Sequence, residues 1–447
     1  MGVSVNDAKK IVENNLCTGC GVCVSEDKNK ATKMIWNDQG FYIPDINEDT
    51  DASNMERVCP FSLQKDNHLD EDQLAKEFLI NPAYSDSQIG LYTALYAGYS
   101  REHRETSSSG GLATYIFEQL LRQKYVDYLF IVREFEGRYA YQLFSDADKI
   151  KEMSKTRYYP VTLASLFDCL NNLHGKVAVS GGACFIKAIR LKQHFTPGLK
   201  EKIPFLIGII CGGLKSKYYT DFLAQSSGCM DSYKDVEYRV KNSKSVALDY
   251  KFSCYGERDN RIHVVDMQSL GDMWGTGLFK SNACDFCDDV TTELADVSLG
   301  DAWIPPYNKD GLGNSVVITR SALAESIIRK GIESGDLKLD VLELSRLKSS
   351  QQGSFNHRHK GLLYRINRAQ KKGIPVPRKR KRFLRRQHLL LNIIQYLRMK
   401  VRAQSLEIWT KVRNVDDFNA KMKPHLLILK RATRLNHKLG SIKNILK

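Results

Sequence analysis

The sequence predicts an α/β fold with α+β elements, a small domain in front of it and a helical extension behind it. Three observations carry this expectation. Val126–Val132 (VDYLFIV), Lys176–Ser180 (KVAVS) and Pro204–Ile210 (PFLIGII) are continuous apolar runs of strand length, as suits strands buried on both faces of a parallel sheet. The last two runs end in glycines and a cysteine: Gly181, Gly182 and Cys184, then Cys211, Gly212 and Gly213. Open α/β sheets gather their ligands there, beyond the carboxyl ends of the strands. The composition also changes sharply toward both ends, cysteine-rich at the front and basic at the back.

Four regions follow in order. Residues 1–75 hold four cysteines and close on a polar, acidic link, KDNHLDEDQLAKEF. Residues 85–165 alternate apolar runs with a helical stretch. Residues 170–345 read as repeated strand–loop–helix units, and residues 350–447 are basic with a helical pattern. At 447 residues the chain has room for two or three domains and a sizeable core. The polar start, MGVSVNDAKK, is not a secretory signal. No run reaches the roughly eighteen apolar residues that a membrane span needs. A cytoplasmic protein is expected, and its eleven cysteines are then expected to be reduced and to serve metal sites rather than disulfides.

Cys17, Cys20 and Cys23 stand in CTGCGVC, and Cys59 precedes Pro60. Three cysteines two residues apart with a distant Cys-Pro form the bacterial ferredoxin pattern, so residues 1–75 are expected to be a ferredoxin-like 4Fe-4S domain. Gly19 and Gly21 permit the bend that wraps three thiolates round one corner of a cubane. Only one triplet exists, so Cys59 should close the same cluster. The alternative is structural zinc, which prefers paired C-x2-C knuckles. Cys284 and Cys287 form such a pair in KSNACDFCDD. Cys184 and Cys211, at two strand ends facing one crevice, are the best candidates to join them. A redox-active pair, a zinc site or ordinary buried thiols are the alternatives. Cys169, Cys229 and Cys254 have no partner spacing.

TSSSGG, with Ser108, Ser109, Gly110 and Gly111, leads into an amphipathic stretch carrying Leu112, Ile116, Leu120 and Leu121. Hydroxyls and glycines at a helix N-terminus offer free N–H groups and the positive end of the dipole to a phosphate; a plain serine cap is the alternative. Lys155, Arg157 and Tyr158 in SKTRYYP add charge and an aromatic plane, or form a solvated face. A flavin would convert the one-electron traffic of clusters into two-electron chemistry.

The order of these motifs resembles the coenzyme F-420 hydrogenase/dehydrogenase beta-subunit family over residues 10–345. The resemblance runs from CTGCGVC and the later Cys-Pro through SSSGG, SKTRYYP, SGGACFIKAIRL, IGIICGGLKSKYY and VEYRVKN to CDFCDDVTTELADVSLGDAW. It implies a reductase domain binding FAD through Ser108, Ser109, Gly110, Gly111, Lys155 and Tyr158. It also implies a second 4Fe-4S cluster on Cys184, Cys211, Cys284 and Cys287. The family's GTPC loop reads GGAC here, and its VCHG reads IICGG. Members work with F-420, ferredoxin or other partners, and bacterial relatives are associated with polysaccharide biosynthesis, which implies a sugar-related substrate.

The expected function is that of an oxidoreductase passing electrons from ferredoxin or a similar donor through two clusters to FAD and on to a small-molecule substrate. Asp296 and Asp301 are candidate lining residues, with a turn cap the alternative for Asp301; no catalytic residue is assigned. Two other readings are a non-catalytic electron-transfer subunit reducing a partner protein and a flavin-free scaffold. From Arg358 onward the chain carries 26 Lys and Arg against three acids, leaving a body of −7 within an overall +16. RKRKRFLRR beside LLLNIIQYLRMKVR suits an anionic membrane surface and a peripheral location. A helical extension packed on the body is the alternative, and nucleic acid is disfavoured because interleaved aromatics are lacking.

Overall fold

The computed structural model describes residues 6–64, 69–135 and 138–445. Eight strands make the central sheet: β1 (Ala94–Ser100), β2 (Tyr128–Phe135), β3 (Arg138–Phe144), β4 (Val177–Gly182), β5 (Phe205–Ile209), β6 (Val297–Asp301), β7 (Ser315–Thr319) and β8 (Leu337–Val341). Their spatial order is β8-β1-β7-β6-β5-β4-β2-β3. The neighbours β6, β5, β4 and β2 are parallel. Antiparallel strands extend both sides, β3 beside β2 and then β7, β1 and β8 beyond β6. The fold is α/β, and the three apolar runs are β2, β4 and β5 of its parallel part.

Those runs are apolar throughout because both faces are covered. Leu129, Ile131, Ala178, Phe205 and Ile207 face α1 (Leu112–Arg122), packing with Leu112, Tyr115, Ile116 and Leu120. The alternate residues Phe130, Val177, Val179 and Leu206 face α2 (Ala183–Phe195), with Phe185, Ile186 and Ile189. Period-two alternation thus serves two cores rather than one core and solvent.

The acidic link is corrected in part. Its first four residues, 65–68, lie outside the described residues. The rest forms the helix Glu71–Phe78, capped by Asp70, whose carboxylate accepts the N–H groups of Asp72 and Gln73 at 3.1 Å. The Gln73 side chain accepts the Asp70 N–H in return, closing a capping box. Leu74 and Ala75 then dock this helix in the core beside α2.

The basic extension is woven into the body. It holds α3 (Leu362–Lys371), α4 (Leu389–Val412) and α5 (Val415–Ile445). Trp409 of α4 is buried against Phe222, Phe279 and Phe418, at ring distances of 5.8, 5.6 and 5.4 Å. Within RKRKRFLRR, Lys379 pairs with Asp288 at 3.3 Å and Arg380 with Glu293 at 2.7 Å, while Arg382 pairs with Asp72. The middle of that run is therefore spent on the body's own acids, whereas Arg385 and Arg386 stay exposed. No described helix is long and apolar enough to cross a membrane.

Candidate functional site

The N-terminal cysteine loop owes its shape to two glycines. Gly19 and Gly21 have φ of 71° and 76°, in the left-handed region that glycine enters freely. A Cβ on Gly21 would sit 2.1 Å from Thr162 Oγ1, and one on Gly19 would sit 2.8 Å from the Tyr42 carbonyl oxygen. The bare loop lies flush on the hairpin of Met34–Trp36 and Tyr42–Pro44 and on the segment where the Leu163 N–H donates to the Cys20 carbonyl at 2.8 Å. Cys23 stands in the short helix Val22–Glu26, and Cys59 caps Met55–Val58. The four thiols adjoin: Cys20, Cys17 and Cys59 all act on Cys23. Burial pushes the Cys17 thiol up to about 12 and raises the other three.

A second quartet gathers at the carboxyl edge of the parallel strands. Gly182 of β4 lies opposite Ile209 of β5 in parallel register, so both chains leave the sheet side by side. A Cβ on Gly182 would contact Cys211 Cβ at 3.7 Å. Cys184 follows in the first turn of α2. Cys284 lies in the short helix Asn282–Phe286, with Cys287 as its cap. The Gly213 N–H donates to Cys211 Sγ at 3.3 Å, and the Leu214 N–H to Cys284 Sγ at 3.2 Å. Burial holds Cys184 well above its ordinary range, with Cys287, Cys211, Cys284 and Cys20 adding to it. Cys20 belongs to the first quartet, so the two groups meet there. Cys229 and Cys254 lie apart in another core, and Cys169 packs beside the α2 core.

A cavity of about 390 Å³ opens beside the second quartet. Ser108, Ser109, Gly111, Lys155 and Tyr158 line it together with Gly182, Cys184, Cys211, Cys284 and Cys287. Gly110 is not among its lining residues; a Cβ there would meet the Gly98 carbonyl oxygen at 2.6 Å and the Ser315 nitrogen at 2.8 Å. Its part is to seat the turn against β1 and β7. The neighbouring polar groups also tie loops: Ser108 Oγ accepts the Thr156 N–H at 2.9 Å, Ser109 Oγ donates to the Asn314 carbonyl at 3.1 Å, and Lys155 pairs with Glu237 at 2.5 Å. Tyr158 meets Trp274 edge to face at 4.8 Å. Of the two candidate aspartates, Asp301 lines the cavity and takes both hydrogen bonds of Arg239 Nη1, at 2.8 Å each. Asp296 is a buried brace, pairing with Arg190 at 3.0 Å and accepting the Leu206 N–H.

Sequence reasoning passed over three lining residues, Arg239, Trp274 and Arg358. Arg239 stands inside VEYRVKN with no local mark of a role. Arg358 comes from the basic extension, yet it is 3% exposed and donates to the carbonyl oxygens of Cys211 and Asp289. One guanidinium among so many in the tail carries no sequence signal of its own.

This geometry defines an α/β protein with a cysteine-walled cavity at the carboxyl edge of its sheet. Residues 95–168 match the family described as coenzyme F420 hydrogenase/dehydrogenase, beta subunit N-term, and residues 174–344 match its companion, the C terminus of that same beta subunit. The chain belongs to the coenzyme F420 hydrogenase/dehydrogenase beta-subunit family, a family of oxidoreductases. It is 24% identical over 278 residues to the coenzyme F420 hydrogenase subunit beta of Methanosarcina barkeri, covering 58% of this chain and 88% of that one. It is also 24% identical over 261 residues to the coenzyme F420-dependent sulfite reductase of Methanocaldococcus jannaschii, covering 54% of this chain but only 38% of the relative. A chain of the F420-reducing [NiFe] hydrogenase complex from Methanosarcina barkeri shares the fold, with a TM-score of 0.51 at 19% identity over 66% of this chain and 98% of that one.

Proposed function

We propose that this chain is an iron–sulfur electron-transfer oxidoreductase. In this reading Cys17, Cys20, Cys23 and Cys59 hold one 4Fe-4S cluster, Cys184, Cys211, Cys284 and Cys287 hold a second, and the adjoining cavity takes FAD. The observation that carries it is the division of eight thiols into two abutting quartets, one of which walls the cavity. The donor chemistry supports it. Thiols that burial holds protonated become good ligands once a metal replaces the proton. The N–H groups aimed at Cys17, Cys211 and Cys284 sulfurs are the kind that tune cluster potentials. Three cysteines two residues apart with a distant Cys-Pro suit a cubane better than the paired knuckles that zinc prefers.

When bound, the clusters supply one-electron transfer and the flavin couples it to two-electron chemistry. The chain's own residues bind and orient. The glycine-rich start of α1 turns N–H groups toward an anion, as a pyrophosphate requires. Tyr158 and Trp274 offer ring faces and keep water from the wall, and the Arg239–Asp301 pair fixes the polar end. The donor is a ferredoxin or another protein reaching the N-terminal quartet, and coenzyme F420 is the first small-molecule partner to try, since the relatives are named for it. A sugar-related substrate finds no support among those relatives and is not part of the proposal. The rival, a subunit that only reduces a partner protein, is favoured by the match to a hydrogenase subunit over most of that subunit's length.

The test is anaerobic purification with iron, sulfide and flavin measured per chain. About eight irons with one flavin is the expected result; about four irons without flavin would sink the proposal. Turnover of a small-molecule acceptor by the purified chain alone separates the enzyme from the electron-transfer subunit.

A further inference from the structure

We infer that Arg358 is the fixed counter-charge of the second thiol quartet and makes that centre the more easily reduced of the two. The inference rests on the two-cluster reading and adds an order of potentials to it. Arg358 lies beyond the family match, in the segment that leads into α3, and is nearly inaccessible to water. Its hydrogen bonds go to main-chain oxygens, those of Cys211 and Asp289. Among the described residues no carboxylate lies within ion-pair distance of it, although Asp289 lends it a carbonyl. A buried charge without a partner is strongly destabilising, so a guanidinium placed this way needs another anion.

The neighbours supply one. Arg358 stands in the wall of the cavity beside Cys184, Cys211, Cys284 and Cys287, and the sulfurs of Cys287, Cys211 and Cys284 outweigh Asp289 in holding its charge. Thiols offer that charge only as thiolates. Of the other cations nearby, Lys280 is matched by Asp285 at 3.0 Å and Lys379 by Asp288 at 3.3 Å; Lys215 donates to the carbonyls of Met273 and Leu278, and Arg365 to those of Asp285 and His357, which leaves Arg358 as the cation bonded to the main chain of a quartet cysteine. At the N-terminal quartet the charged side chain that weighs on Cys59 is the carboxylate of Glu56. Adding an electron adds negative charge. An uncompensated guanidinium in a low-dielectric wall favours the reduced form of its centre, and a carboxylate disfavours it. Burial also spares the effect from screening by salt.

The experiment is an anaerobic redox titration of the full chain carrying its iron, followed by low-temperature electron paramagnetic resonance, on the parent, Arg358→Gln and Arg358→Lys. The parent is expected to show two midpoints. In Arg358→Gln the higher one should fall so that the reduced-to-oxidised ratio at fixed potential drops at least tenfold, equivalent to about 59 mV for a one-electron couple. The lower midpoint should stay in place, and Arg358→Lys should keep both. Two full clusters with neither midpoint moved, or with both moved alike, would overturn the inference and leave the two-cluster reading standing. If Arg358→Gln loses iron, Arg358→Lys decides. Full iron at the parental potential supports the charge argument, and iron lost from both makes Arg358 a packing residue and overturns it. A parent with about four irons removes the two-cluster reading itself.

Discussion

Arg380 is the most heavily bonded side chain of the basic extension, and its loss should be costly in a way that pH can read. Its Nε donates to Asp288 at 3.1 Å, and its two terminal nitrogens donate to the Glu293 carboxylate at 2.7 and 2.9 Å. Replacing it with methionine keeps the apolar stem but removes the charge. Asp288 retains Lys379 at 3.3 Å, whereas Glu293, 2% exposed, is left with Arg382 at 3.8 Å. Stranding one partner of a buried pair costs about 3–5 kcal/mol, which lowers a urea midpoint by about 1 M for a chain of this size. Burial pushes the Glu293 carboxyl up to about 7 even with Arg380 holding it down. Without Arg380 it rises further, so the folded state binds a proton more readily than the unfolded one. The part of the destabilisation that comes from Glu293 is full at high pH, shrinks as pH falls through the variant's raised value, and is lost below about 7, where Glu293 of the parent is protonated too. Urea unfolding by circular dichroism at pH 8 and pH 5.5, on Arg380→Met and on Arg380→Met with Glu293→Gln, checks this. A midpoint loss that is equal at both pH values, or that the Gln substitution does not relieve, refutes the reasoning.

Trp409→Ala removes the ring that α4 inserts among Phe222, Phe279 and Phe418 and should cost about 3–5 kcal/mol; an unchanged melting temperature would mean that the extension is not part of the core. Gly21→Ala forces a Cβ to within 2.1 Å of Thr162 Oγ1 at a φ of 76°, and iron is expected to drop from about eight to about four per chain. Full iron in that variant would show that the loop has another way to lie. Gly110→Ala presses a Cβ onto two backbone atoms of β1 and β7. It should lower the flavin content while iron is held, and parental flavin would separate the turn from the cavity.

What the sequence could reveal followed from how local the signal was. β2, β4 and β5 announce themselves because burial on both faces makes each run uniformly apolar. α1 follows its glycine turn with apolar spacing that a helix needs. The antiparallel flank was less legible: Ser315–Thr319 is wholly buried, but five residues bounded by polar ones do not declare which neighbour they pair with. At the site, the cysteine spacings and the strand-end glycines were readable. That Cys20 and Cys184 adjoin depends on the register of β4 against β5 and on how residues 162–164 lie, neither of which is written locally. The extension was the least legible, although its packing on the body was one of the expectations. Its cations look like a solvated or membrane-facing run until Glu71, Asp72, Asp288 and Glu293, far upstream in the chain, are brought against them.

The family match ends at residue 344, but the molecule does not divide there. Asp285, between two of the cysteines, is held by Arg402 of α4 at 2.7 Å, and its carbonyl is held by Arg365 of α3 at 2.5 Å. An excised fragment stopping at the match would keep every thiol of the second quartet and, of the cations paired with its acidic loop, Lys280, but lose Arg402, Lys379 and Arg380. Anyone dissecting this protein should therefore cut elsewhere: the unit of inheritance and the unit of folding have different borders here.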